Sequence, residues 1–104
     1  WAFDLDHGGQ KVGVEFGGHS VTSPGFEGYL PQIAPEDIAR AMVERNPELQ
    51  FMDSSQRGYM AVELTPGSAT SEYRFLSSVK QKGAGVVGTR RISTLAGARR
   101  LAMA

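Results

Sequence analysis

The sequence WAFDLDHGGQKVGVEF, residues 1–16, decides the first part of the fold. Trp1, Phe3 and Leu5 alternate with alanine and aspartate, which is the period-two pattern of a half-buried β-strand. A cluster of turn formers at residues 6–10 then reverses the chain, and apolar residues alternate again over residues 11–16. The pattern predicts a β-hairpin over residues 1–16 with the large apolar side chains of the first strand on one face.

The next two segments differ sharply in composition. Residues 17–35 are rich in glycine and proline, so we expect a long irregular loop without a regular element. Residues 36–45 carry acids in the first turn and apolar side chains at helical spacing, and Pro35 suits the first helical position. These features predict one short helix over residues 36–45, which ends at Asn46-Pro47.

The remainder of the chain alternates in the manner of strands. We predict a short strand at residues 49–53, strands at 59–65 and 70–79 that complete a three-stranded antiparallel meander, and a last strand at 86–95. Residues 49–95 are therefore expected to be mainly strands, and the tail to Ala104 has no decisive pattern. The predicted fold class is α+β, a single segment over residues 1–104 built mainly from antiparallel strands with one short helix.

Composition and charge exclude several classes of protein. The chain has 104 residues, no cysteine and no run of about 18 apolar residues, which argues against multiple domains, a disulfide framework and a membrane span. Its zero net charge hides an asymmetry, because residues 1–65 hold ten acids and four bases while residues 66–104 hold one acid and seven bases. Those bases lack an aromatic stacking platform, so we favour a solvated face over a nucleic-acid-binding role.

The first residue lies within a predicted strand and is not methionine. We therefore expect that the chain is a piece of a longer protein. Strands taken from a larger sheet would leave an apolar face uncovered, so we also expect self-association or partial disorder at the hairpin of residues 1–16.

Few residues have the pattern of a catalytic or metal site. Asp4, Asp6 and His7 are close in sequence, but one hairpin offers them no fixed second layer of partners, and a solvated hairpin tip is the preferred interpretation. His19 is the second of two histidines, and a lone histidine in a glycine-rich loop has many structural explanations. No catalytic residue and no metal ligand is assigned.

The loop at residues 17–25 has the composition of an anion site. Gly17 and Gly18 allow backbone N–H groups to approach a ligand closely, and Ser20, Thr22 and Ser23 add hydroxyls that can donate to phosphate oxygens. The spacing matches neither a Walker A loop nor a dinucleotide fingerprint. These three residues are the candidate substrate-binding residues, and the alternative is that their hydroxyls only satisfy the backbone of the loop.

Two stretches resemble the PhoD-like alkaline phosphatases and phosphodiesterases. Residues 15–25, EFGGHSVTSPG, look like that family's E-F-x-x-x-S-x-T-S-P-G segment. Residues 46–53, NPELQFMD, followed by RGY at residues 57–59 and TP at 65–66, are similar to its later N-P-x-x-x-F-x-D, R-G-Y and T-P pattern. The resemblance extends from residue 1 to about residue 79.

The resemblance implies a metal-dependent hydrolase of phosphate esters whose intact fold is a two-sheet sandwich flanked by helices. In that family a G-D-x-H-x-x-W metal-binding motif precedes this region, and Trp1 looks like its last position. The chain would then be the C-terminal part of the enzyme. Its partners would be the upstream part of the same polypeptide and a phosphate-ester substrate. Divalent or trivalent metals such as calcium or iron would be bound elsewhere in the parent. The family also suggests an exported or periplasmic parent. The alternative is a free-standing β-rich module that binds an anion or another protein.

Overall fold

A computed structural model describes residues 1–103 and consists mostly of antiparallel strands. The strands are β1 (Ala2–His7), β2 (Gln10–Phe16), β3 (Leu49–Phe51), β4 (Gly58–Thr65), β5 (Ser68–Leu76), β6 (Val86–Leu95) and β7 (Ala102–Met103). The helices are α1 (Phe26–Tyr29) and α2 (Pro35–Arg45). The α+β, β-rich class predicted from the sequence is confirmed, with two short helices in place of one.

The strands form two sheets. The short sheet has the order β2-β1-β3 and the long sheet the order β4-β5-β6-β7. Within the short sheet β1 and β2 form the predicted hairpin, in which Ala2 is paired with Phe16 and a bulge falls between Leu5 and Asp6. Within the long sheet the tight turn between Thr65 and Ser68 keeps β4 and β5 in continuous antiparallel register.

The predicted meander is wrong in its first strand. β3 pairs antiparallel with β1, so it belongs to the short sheet, and the meander consists of β4, β5 and β6. Residues 52–57 carry the chain from one sheet to the other and do not close a hairpin. Within this connection the Asp53 carboxylate Oδ1 accepts the backbone N–H groups of Ser55 and Gln56 at 3.0 and 2.7 Å and forms a turn. The partner of β3 is decided by its pairing with β1 and not by this turn.

The core lies between the two sheets. Tyr73, Phe75 and Ile92 from the long sheet meet Ala2 from the short sheet, and all four are buried. Partly buried side chains close the edges of this core: Phe16, Phe51, Met60 and Leu101. The alternation over β5 is therefore that of a strand with one face in the core, as the sequence predicts.

The inner face of β1 is the opposite of the one that its large apolar residues suggest. Ala2 and Asp4 are buried against the long sheet, whereas Phe3 and Leu5 line an apolar groove on the other side, next to Met42 of α2. Asp4 is tolerated inside because its carboxylate accepts the backbone N–H of Leu101 at 2.7 Å. Asp4 therefore holds the chain before β7 and is not part of a solvated hairpin tip.

Helix α2 begins one residue before the predicted bound. Pro35 occupies the first helical position and Ala34 offers no side-chain cap. An additional contact stabilises this end, since the hydroxyl of buried Ser54 donates to the Pro35 carbonyl at 2.9 Å. No helix in residues 1–103 is long and apolar enough to cross a membrane.

The predicted irregular loop contains one turn of helix, α1. Its first residue is anchored to the rest of the protein, because Phe26 N–H donates to the Ser54 carbonyl at 3.1 Å. Leu30 N–H donates to the Phe26 carbonyl at 2.7 Å and closes the single turn. The tertiary contact with Ser54 stabilises helical geometry in a segment whose glycine and proline content disfavours it. At the other terminus β7 pairs antiparallel with β6 at the edge of the long sheet, and Ala104 lies outside the described residues.

Candidate functional site

The hairpin returns the chain to its starting edge at Gly17. Gly17 N–H donates to the Trp1 carbonyl at 2.8 Å, and the backbone nitrogen of Trp1 donates to the Gly17 carbonyl at 3.0 Å. The indole ring of Trp1 occupies the space in which a Cβ of residue 17 would lie. This close approach requires glycine at position 17, and it places the start of the loop beside Trp1, as the two-strand geometry predicts.

The three candidate hydroxyl residues are neighbours but do not share one cavity. Ser20 lines a cavity of about 230 Å³ together with Trp1 and His19. Thr22 and Ser23 are exposed and line an adjoining cavity of about 650 Å³. The Ser20 hydroxyl accepts the Ser23 backbone N–H at 2.7 Å, so this residue does satisfy the backbone of its own loop.

Arg57 lies between the two cavities and contributes to the wall of each. Its side chain is only 10% exposed, and its guanidinium donates to the carbonyls of Ser23 and Ser55 and to the Glu27 carboxylate. A single guanidinium thus joins the loop, helix α1 and the chain that leads into β4. Three hydrogen bonds to one planar group fix the relative orientation of these segments.

His19 is packed against the core instead of facing solvent. Its ring lies 5.2 Å from that of Phe75 and 5.9 Å from that of Tyr73, measured between centroids. Nε2 lies 3.1 Å from the Arg74 carbonyl oxygen, so Nε2 carries the hydrogen and donates it. This arrangement uses His19 to attach the loop to β5.

Two buried acceptor atoms in the loop region have no hydrogen-bond partner. They are His19 Nδ1 and Glu27 Oε2, and within residues 1–103 no other buried side-chain nitrogen or oxygen is unpartnered. Buried polar groups in folded proteins are nearly always paired with another protein atom or with ordered water. The buried side-chain atoms without a hydrogen-bond partner in residues 1–103 therefore both lie in the loop region.

The donor set of the described chain does not form a metal centre. No three side chains of histidine, aspartate or glutamate among residues 1–103 converge closely enough to hold a metal ion. Of the acids near the chain start, Asp4 binds Leu101 and Asp6 is paired with Lys11 at 2.9 Å. What the loop can do chemically is donate hydrogen bonds to an anion.

Sequence reasoning named Arg57 only as part of the RGY family pattern, without a role in the loop, and did not name Glu27. One signal was available, since Arg57 is one of only four basic residues among the first 65 and stands in an RGY tripeptide directly after a turn. The partner of Arg57 could not be read from the sequence because 30 residues separate it from Glu27.

Comparison with protein families assigns the chain to a class. The family model for PhoD-like phosphatase matches residues 1–73, which include the hairpin, the loop, Arg57 and the core residue Tyr73. The chain belongs to the PhoD-like phosphatase family. Searches of curated proteins and of solved structures gave no match.

Proposed function

We propose that this chain is the C-terminal part of a metal-dependent phosphoester hydrolase, and that it supplies sheet and a loop at the rim of the active site. The observation that carries this proposal is the pair of hydrogen bonds between Trp1 and Gly17. In the family resemblance Trp1 is the last position of a metal-binding motif, so the loop would begin beside the metals. Membership of the PhoD-like phosphatase family over residues 1–73 supports the same assignment.

The role proposed for the loop is recognition of the phosphate group. Thr22 and Ser23 are exposed, and no hydrogen bond within residues 1–103 engages their hydroxyls. Both hydroxyls are therefore able to donate to a phosphate oxygen of a monoester or diester substrate. Ser20 contributes through its hydrogen bond to the Ser23 backbone, which shapes the loop.

The cofactors that the family implies are divalent or trivalent metals such as calcium or iron. Because the donor groups of residues 1–103 do not form a metal centre, we assign their ligands to the upstream part of the same polypeptide. No catalytic step is assigned to a residue of this chain.

The 104-residue chain is expected to show no phosphatase or phosphodiesterase turnover. The reason is that residues 1–103 bring together no set of ligands able to hold a catalytic metal. The measurement is an assay of the purified chain with a chromogenic phosphomonoester and diester in the presence of Ca²⁺, Fe³⁺, Mn²⁺ or Zn²⁺. Turnover that requires metal and co-purifies with the chain would contradict the proposed division of roles.

Replacing both Thr22 and Ser23 by alanine in the parent phosphatase is expected to lower kcat/KM and leave metal content unchanged. The loss should amount to about 1 kcal/mol or more for each hydrogen bond to a charged oxygen. Thr89→Ala is the matched control, because Thr89 is exposed on β6 of the long sheet and is not part of the loop. Unchanged kinetics in a folded, fully metallated double variant would leave the loop with a structural role only.

A further inference from the structure

The loop at the proposed active-site rim is held by the residues that lead into β4. We propose that Arg57 and Gly58 are positioning residues that fix the conformation of residues 19–27. The effect on phosphoester hydrolysis rests on the function proposed above, whereas the effect on the loop itself does not. We call the pair Arg57 and Gly58 the loop clamp.

The first half of the clamp is the Arg57 side chain. The Arg57 side chain is only 10% exposed, so its charge is nearly buried. The side chain of Glu27, whose carboxylate accepts a hydrogen bond from Arg57, is 40% exposed. The same guanidinium also donates to the Ser23 carbonyl, so it joins the two ends of the segment from Ser23 to Glu27. A lysine ammonium is a point charge that cannot reproduce the three fixed directions of these hydrogen bonds.

The second half of the clamp is the backbone of Gly58. Its N–H donates to the Ser20 carbonyl at 3.1 Å, which attaches the loop directly to the first residue of β4. Gly58 is buried, and a Cβ at this position would overlap the Arg74 carbonyl oxygen and lie 2.7 Å from His19 Nε2. The absence of a side chain is therefore what allows His19 to reach Arg74.

The clamp is itself attached to a rigid element. The Arg57 carbonyl accepts the Leu76 N–H at 2.8 Å, which continues the pairing of β4 with β5 by one step. β5 lies in the centre of the long sheet and carries the buried core residues Tyr73 and Phe75. The loop is consequently positioned by the most strongly packed strand of the protein.

The contacts are distributed so that the backbone of the loop is held while two of its hydroxyls stay available. The clamp binds the carbonyls of Ser20 and Ser23, which flank Thr22. It engages neither the Thr22 nor the Ser23 hydroxyl. A site whose backbone is fixed in advance loses less conformational freedom when it binds a ligand.

Hydrogen exchange in the 104-residue chain tests the clamp without any activity measurement. In Arg57→Lys the backbone amides of Ser23, Gly25 and Phe26 are expected to exchange about tenfold faster or more than in the unsubstituted chain, because the charged hydrogen bonds are lost. The amides of Tyr73 and Ile92 should keep their protection, which shows that the sheets remain folded. Arg40→Lys is the matched control, since Arg40 is exposed and pairs with Asp37 on the same helix, α2.

A second variant removes the partner instead of the arginine. Glu27→Gln keeps the size of the side chain and should accelerate exchange of the same three amides, whereas the double variant should add little to either single one. Loop amides that exchange at the unsubstituted rate in both single variants would overturn the clamp.

Kinetics of the parent phosphatase separate the clamp from the proposed function. If the clamp holds a loop of the active site, Arg57→Lys lowers kcat/KM for a phosphomonoester by about tenfold or more at unchanged metal content. Arg40→Lys leaves kcat/KM unchanged. Faster loop exchange with unchanged kinetics would support the clamp and refute the role of the loop in hydrolysis.

Discussion

Replacing Tyr73 by alanine is expected to destabilise the fold by about 3–5 kcal/mol, which is the range for removing a buried aromatic side chain. Tyr73 is 1% exposed and lies between the sheets, with its ring 5.3 Å from that of Phe51. Its hydroxyl also donates to the Trp1 carbonyl at 2.5 Å, across the interface between the sheets. The substitution therefore leaves a cavity and removes one of the two hydrogen bonds that the Trp1 carbonyl accepts, the other coming from Gly17 N–H.

The measurement for Tyr73 is urea unfolding followed by circular dichroism. Tyr59→Ala is the matched control, because Tyr59 is 43% exposed on the outer face and should cost less than about 1 kcal/mol. Tyr73→Phe isolates the hydroxyl and should cost about 1 kcal/mol. Equal losses for the alanine variants at positions 73 and 59 would show that the core does not lie where the structure places it.

The same tyrosine makes stability depend on pH at the alkaline end. Burial raises the pKa of the Tyr73 hydroxyl above its ordinary value of 10.0. The folded state therefore favours the protonated form, so this contribution is complete below pH 10 and is lost as the pH rises through the higher folded-state pKa. Tyr73→Phe should show a smaller loss of stability than the unsubstituted chain above pH 10.

The second large effect is expected at Gly58. Gly58→Ala should destabilise the fold by about 3 kcal/mol, because the new Cβ would overlap the Arg74 carbonyl oxygen and part of the backbone would have to move. The strain should also displace His19, whose Nε2 lies 2.7 Å from the position of that Cβ.

Gly88→Ala provides a closely matched control for Gly58→Ala. Both glycines are paired with Phe75, one from each side, yet a Cβ on Gly88 would meet no atom within 4 Å. The control should change stability by no more than about 0.5 kcal/mol. Thermal unfolding of the two variants measures the difference, and similar melting temperatures would contradict the close packing around position 58.

Local patterns were sufficient for the elements that satisfy their own hydrogen bonds nearby. The hairpin of residues 1–16, helix α2 and the pairing of β4 with β5 follow from alternation, turn residues and short connections. The loop was recognised as the candidate site from its glycine and hydroxyl content. Its attachment was not recognised, because Arg57 and Glu27 have no local pattern that pairs them.

The sequence by itself determined the α+β class, most of the strands and the place of the loop, because these depend on neighbours within a few residues. Only the tertiary structure decided which face of β1 is buried, since Asp4 becomes an inner residue by accepting the N–H of Leu101, 97 positions away. It also decided that β3 joins β1 and that Arg57 and Gly58 hold the loop. Each of these depends on partners distant in the chain, whose pairing is selected by the packing of the two sheets and leaves no periodic signal in the sequence.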